Sequence, residues 1–303
     1  MKRSTATGAT TIAITVLLAG VLGCPKPKPA PEREGFVIPV EEPAPSATED
    51  KTVLRSRPVK FDLTMLTGVA SRLPFAAFEG VELRLVKDRV EQMRTGGFVW
   101  FGHVEKQPGS SAIFAVKGEA VAGTIRTLPG KLYRVRYTGR GVHRIEEIDG
   151  SKFPPEGEPL PAVSPAAETQ GDTCATDPAS DIDVLVVYSA TTRAAAGSVD
   201  AMEATVLLAF AETNQSYINS NVNQRLRLAH LEEVAYTESG NSTTDLNALQ
   251  NTADGTIDNV LTLRDTFAAD AVILIVESLE NCGRAFIMAT VANSFETSAY
   301  GVV

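Results

Sequence analysis

The sequence predicts an α+β protein, with a β-rich N-terminal half followed by a βαβαβ segment built on a mainly parallel sheet. Three observations carry that expectation. Runs of alternating apolar and charged residues, punctuated by Gly and Pro, fill residues 51–150. Near-continuous apolar runs, the pattern of strands covered on both faces, open and close residues 181–276. Between those runs, apolar residues recur at helical spacing.

The elements follow in order. Lys2 and Arg3 precede an apolar core from Thr11 to Gly20, too short for a comfortable membrane span, so residues 1–24 read as an export signal. Its end, Val21-Leu22-Gly23-Cys24, resembles a bacterial lipobox, in which the signal is cut before Cys24 and the thiol is lipidated. Leu22 is bulkier than the usual small residue there, which leaves ordinary cleavage open. Lipidation implies a protein tethered to the outer side of a bacterial membrane, and ordinary cleavage implies a secreted one. Residues 25–50 start with Pro25-Lys26-Pro27-Lys28-Pro29 and read as an extended tether, because proline fixes φ and removes donors.

Residues 51–150 read as a small antiparallel sandwich or barrel. Val81-Glu82-Leu83-Arg84-Leu85 and Leu132-Tyr133-Arg134-Val135-Arg136-Tyr137 alternate as half-buried strands do. Phe98–Val104, Ala112–Val116 and Ala120–Ile125 are further strands, separated by Gly and Pro turns. Six prolines between 154 and 178 mark residues 151–180 as a linker. Residues 181–303 then begin with the apolar strand Ile182–Tyr188. A helix follows, carrying Val199, Met202, Val206, Phe210 and Tyr217 on one face and ending near Asn219. Arg225–Leu231 alternates as a strand, two short helices break at Asp254-Gly255, and Ala271–Val276 is another buried strand. This order predicts right-handed crossovers in a parallel sheet.

Net charge is -9, but it is divided unevenly along the chain. Residues 51–150 hold 17 Lys+Arg against 10 Asp+Glu, a net +7, whereas residues 181–303 hold 5 Arg against 16 Asp+Glu, a net -11. Opposite signs suggest that the two halves face each other, the alternative being two independently solvated surfaces. An acidic chain without clustered Lys/Arg excludes nucleic acid as a partner.

Chemistry is sparse. No Gly-rich phosphate loop follows the strand ending at Tyr188, so a nucleotide site is a poor reading. Tyr188 also stands where an integrin-like metal motif would need Asp. His103, His143 and His230 lack the i, i+4 spacing of helix-borne ligands and read as structural histidines, and no Ser-His-Asp arrangement can be argued. Asp177, Asp181 and Asp183 lack the Gly and terminal Glu of an EF-hand loop. With Cys24 given to lipid, Cys174 and Cys282 are candidates for a disulfide, for inert thiols or, in a latent precursor, for a thiolate that plugs a metal site.

Several stretches in sequence order carry a resemblance: Asp183–Tyr188, Glu212–Tyr217, Asn219–Asn223, Leu226–Leu228, Tyr236–Gly240, Leu263–Asp265, Ala269–Val272 and Cys282-Gly283-Arg284-Ala285-Phe286. From Ile182 onward the chain resembles the metzincin zinc metalloendopeptidases, closest to the reprolysin-like, peptidyl-Asp group. The β-rich region before it is similar to their prodomains. The resemblance implies a precursor acting on protein or peptide substrates, with residues 51–150 as prodomain and residues 181–303 as the N-terminal part of the catalytic domain. It implies zinc for a complete member. The His-Glu-x-x-His-x-x-Gly-x-x-His helix that holds the metal is absent from these 303 residues, so the chain is expected to be truncated before it, to bind no zinc, to contain no catalytic residue and to be inactive as it stands. It further implies a substrate-aligning edge strand near Phe295 and Tyr300, and a prodomain docked on the catalytic half within the same chain. The alternative is a non-enzymatic cell-envelope lipoprotein, a degenerate peptidase used as a binding module.

Overall fold

Period-2 alternation builds the first sheet. The computed structural model describes residues 35–40, 50–128, 130–162, 181–251, 253–289 and 293–303. The expected signal, with Cys24, most of the tether and most of the linker, with Cys174 and Asp177, lies outside the described residues. Residues Gly35–Val303 form one compact unit.

The first sheet comprises β1 (Val37–Pro39), β2 (Val53–Phe61), β3 (Arg72–Phe78), β4 (Val81–Gln92), β5 (Phe98–Val104), β6 (Ser111–Lys117), β7 (Ala120–Arg126), β8 (Leu132–Gly139) and β9 (Val142–Ile148), with a helical turn α1 (Thr64–Thr67) after β2. All its pairings are antiparallel, in the order β1-β2-β9-β8-β7-β6-β5-β4-β3. The sheet rolls until its ends approach. Arg57 on β2 donates to the Ala76 carbonyl on β3, and the Phe36 and Phe75 rings lie 6.3 Å apart. Inside the roll, Trp100, Phe114, Ile125 and Ile145 are fully buried around Phe36 and Phe75.

The second sheet has the order β10-β14-β15-β13-β11-β12. Its strands are β10 (Leu160–Pro161), β11 (Asp181–Tyr188), β12 (Arg225–Glu233), β13 (Ala271–Ile275), β14 (Arg284–Ile287) and β15 (Tyr300–Val302). β11 pairs in parallel with β12 and β13, β13 with β15, and β10 with β14, while β14 and β15 are antiparallel. Among the described residues, antiparallel pairing dominates. The connecting helices are α2 (Ala190–Ala196), α3 (Val199–Asn219), α4 (Ser242–Gln250) and α5 (Asn259–Thr266). Caps set the starts of three of them: Ser189, Ser198 and Asn241 accept from the N–H groups of Thr192, Ala201 and Thr244. α4 and α5 cover one face of this sheet through Leu246, Leu249 and Val260, packed on Leu185, Val272 and Leu274.

α3 lies between the two sheets. Met202 and Val206 pack on Val184, Val186 and Tyr188 of the second sheet. Ala201, Ala204, Leu207, Leu208 and Ala211 pack on the outer face of the first, against residues that include Phe101, Ile113, Ala115 and Ala122. Apolar packing therefore joins the halves, and charge sits at the margin, where Lys117 binds Glu203 at 2.9 Å. Much of the positive charge is paired within the first sheet, where Arg134 and Arg136 both bind Glu146 and Arg55 and Lys131 both bind Glu147. Among the described residues no single helix is long and apolar enough to cross a membrane.

His143 on β9 is buried, and its Nε2 accepts the Val121 N–H at 3.0 Å. Burial pushes the imidazole down to about 4. A folded-state value below the unfolded one means that stability is fully present above about pH 6.5 and is lost as pH falls toward 4, by roughly 3 kcal/mol. Urea midpoints at pH 7 and pH 4.5 should therefore diverge in the wild type and lie closer together in His143→Gln. Equal divergence in both proteins would rule out His143 as the cause.

Candidate functional site: the edge at β14

β14 and β12 are the two outer strands that residues 181–303 contribute to the second sheet, and the outer side of β14 is occupied by the chain that follows β9. Leu160 and Pro161 pair in parallel with Phe286 and Ile287. Just before them, the Gly157 N–H donates to Gly283 O at 2.9 Å and the Cys282 N–H to Pro155 O at 3.0 Å. The Cys282 thiol donates to Pro154 O at 2.9 Å, and Arg284 Nη1 donates to Glu158 O. Residues 154–161 thus act as a strap that supplies the hydrogen bonds an open sheet edge lacks. Leu160 adds apolar contact by packing against the core to which Phe286 belongs.

The base of this edge is a polar network under α4. Ser242 is fully buried and its Oγ is saturated, donating to Glu280 Oε1 at 2.7 Å and accepting from Asn281 Nδ2 and Arg284 Nε at 2.8 Å each. The Ser242 N–H also donates to Glu280 Oε2 at 2.8 Å. Hydrogen bonds from the Ser242 hydroxyl and N–H hold the Glu280 carboxyl below the usual range. Arg284 is therefore fixed through Nε, while its Nη1 reaches the strap.

The predicted site residues divide. Tyr300 lies on β15, an interior strand flanked by β13 and β14, and Phe295 lies in the short helical turn Asn293–Ser298. The expected edge near Phe295 and Tyr300 is corrected to β14, because the antiparallel β14 covers β15. Cys282 is a free thiol. Asp181 and Asp183 bind Arg227, leaving no open oxygen cage between them. His103 pairs with Asp88 in the first sheet, and His230 stacks on Phe267 at 3.8 Å. Among the described residues no three His, Cys, Asp or Glu side chains converge to hold a metal, so these residues do not fit a zinc site. The crevice at the C-terminal ends of β11 and β13, where open α/β sheets bind ligands, is filled by Glu238, which accepts from Ser189, Thr192 and the Glu277 N–H. Burial, then the Glu238 charge, push the Glu277 carboxyl up.

Residues 179–303 match the model of the metallo-peptidase family M12B, reprolysin-like. Three curated proteins named peptidyl-Asp metalloendopeptidase are similar to the chain. Two are from Stenotrophomonas maltophilia, one (strain R551-3) 33% identical over 251 residues and one (strain K279a) 32% identical. The third, from Xanthomonas campestris pv. campestris, is 31% identical over 247 residues. Each alignment covers 76% of this chain, and the chain spans about 60% of the length of these relatives. A solved chain titled "Structure of a chaperone-substrate complex" aligns at a TM-score of 0.34 and 17% identity over 63% of this chain and 26% of that one, a likeness too weak to carry an argument. The reprolysin-like match takes in β11–β15 and α2–α5, hence both the edge and its polar base.

The strap depends on a bare backbone at Gly157. A Cβ there would lie 2.7 Å from Gly283 O, a backbone atom that cannot swing aside. Gly157→Val should lift the strap and weaken two hydrogen bonds of about 1 kcal/mol each, speeding amide exchange at residues 157 and 282 by tenfold or more. Exchange at Val272 on β13 should be unchanged. Unaltered exchange at residues 157 and 282 would show that the strap tolerates the side chain.

Proposed function

We propose that the chain is part of an exported zinc metalloendopeptidase precursor, with residues 51–150 as its prodomain and residues 181–303 as the part of the catalytic domain that aligns a peptide. The supporting observation is the β14 edge, whose hydrogen-bonding groups are matched by an extended segment of the same chain. A strand that accepts an extended partner in cis offers the same groups to a peptide once the strap lifts, which is β-strand addition. Lifting the strap also removes Glu158 O from Arg284 Nη1. That leaves a fixed cation on the edge for an acidic side chain, in keeping with the name peptidyl-Asp metalloendopeptidase borne by the relatives. Zinc supplies the hydrolytic water activation in such an enzyme. The described residues offer no ligand set for it, and no step is assigned to them.

Binding of short extended peptides to the purified chain tests this reading. Gly157→Val should bind them more tightly than the wild type, and an Asp-containing peptide should exceed its Asn counterpart by about two- to fivefold, the range of one exposed charge pair. Arg284→Met should erase that preference, and the peptide should be recovered intact with or without added zinc. Equal binding by the wild type and Gly157→Val would remove β14 as the site.

We also propose a lipid anchor at Cys24, supported by the basic start, the short apolar run and Leu22-Gly23-Cys24. Cys24→Ser should move the protein from the membrane to the soluble fraction of a bacterial host and abolish labelling by a fatty-acid probe. Continued labelling would refute the assignment.

A further inference from the structure

We propose that α3 binds the first sheet permanently, so that cutting the chain between residues 162 and 181 leaves a two-piece complex rather than two free parts. The partner surface is the outer face of β5–β8, and its occupant is α3.

The reason is that α3 has apolar residues toward both sheets. Ala201, Ala204, Leu207, Leu208 and Ala211 are all buried in a cluster made mainly with the first sheet, to which β12 adds Leu228. Without the first sheet these five residues would form a contiguous apolar patch along about three turns of an outer helix, unusual on a free soluble domain. The facing surface has the same problem. Phe101, Ile113, Ala115, Ala120 and Ala122 are buried beneath α3 and would become exposed. Alanines on both sides let helix and sheet approach closely, as in a domain interior. The β6–β7 turn fits the helix start. Gly118 has φ +55°, and a Cβ there would lie 2.4 Å from Asp200 Oδ2. Polar ties at the margin include Lys117 to Glu203 and Arg89 Nη1 to Gln215 Oε1 at 3.0 Å. An interface that is apolar at its centre and charged only at its rim persists when salt screens the rim.

The strap and α3 are then separate attachments. The strap closes with a few hydrogen bonds and one leucine, whereas α3 closes with a two-sided core. The β14 edge can open while the first sheet stays in place.

The test nicks the full chain. A recognition sequence for a site-specific protease replaces residues 166–173, the purified protein is cut, and its mass is followed by sedimentation. Runs at about 0.1 M and about 1 M NaCl bracket a Debye length falling from roughly 10 Å to 3 Å. Both pieces should sediment together at both salts and part only in denaturant. Release of either piece without denaturant, as a soluble species or as an aggregate, overturns the proposal, and release confined to high salt shows that the tie is ionic. Nicked Gly157→Val should also stay together, whereas its dissociation would place the tie in the strap. Ala204→Asp should speed dissociation of the nicked complex at least tenfold. Should that variant fail to fold, the wild-type nick decides alone. The readout is association without any measure of hydrolysis, so the peptidase reading can fail while this one holds, and the reverse.

Discussion

The structure depends on α3 being buried from two directions. A helix at the edge of an α/β sheet ordinarily shows one apolar stripe and one solvated face. Here Met202 and Val206 meet the second sheet, while Ala204, Leu207 and Leu208 meet the first. Polar residues appear where cover ends, at Asp200, Glu203 and toward Gln215 and Asn219. The far end of α3 is tied to β12 by Asn214, whose amide donates to Leu226 O and accepts from Leu226 N–H. The side chain thereby acts as a neighbouring strand would at the start of β12. The helix thus fixes β12 on one side and the rolled first sheet on the other.

The β14 edge is built on a different principle. Its strength lies in saturated hydrogen bonds rather than apolar area, because a sheet edge presents backbone groups that need partners. Ser242 sits at the centre of that network, fully buried with donor and acceptors all engaged. It orients Arg284 so that one nitrogen is structural and the other reaches the strap. The geometry gives this edge a definite direction and occupant.

Much of the fold was legible because strand and helix periodicities are local. The alternation in Val81–Leu85 and Leu132–Tyr137, the apolar run Ile182–Tyr188 and the helical spacing from Val199 all match elements of the structure. The contact between the halves also left a trace. Ala112–Val116 and Ala120–Gly123 are buried without a break, so both faces of β6 and β7 are covered. That pattern does not fit a small barrel with a solvated outer face, and it was the available clue to α3. The candidate site was less legible. The Cys282–Phe286 stretch is distinctive, but nothing local shows that it forms the edge, that Tyr300 lies inside the sheet or that Leu160 is its neighbour.

The sequence by itself determined several of the strands and helices, the family resemblance of residues 182–303 and the absence of a zinc-binding helix from these residues, because each is written in local spacing. Only the tertiary structure decided which strand is the edge, what covers it and that apolar packing rather than charge joins the halves. Those features depend on partners far apart in the chain, Leu160 with Phe286, Phe101 with Ala204 and Ser242 with Arg284. A periodic pattern states that a face is buried, but the residue that buries it is chosen by the packing of the whole chain.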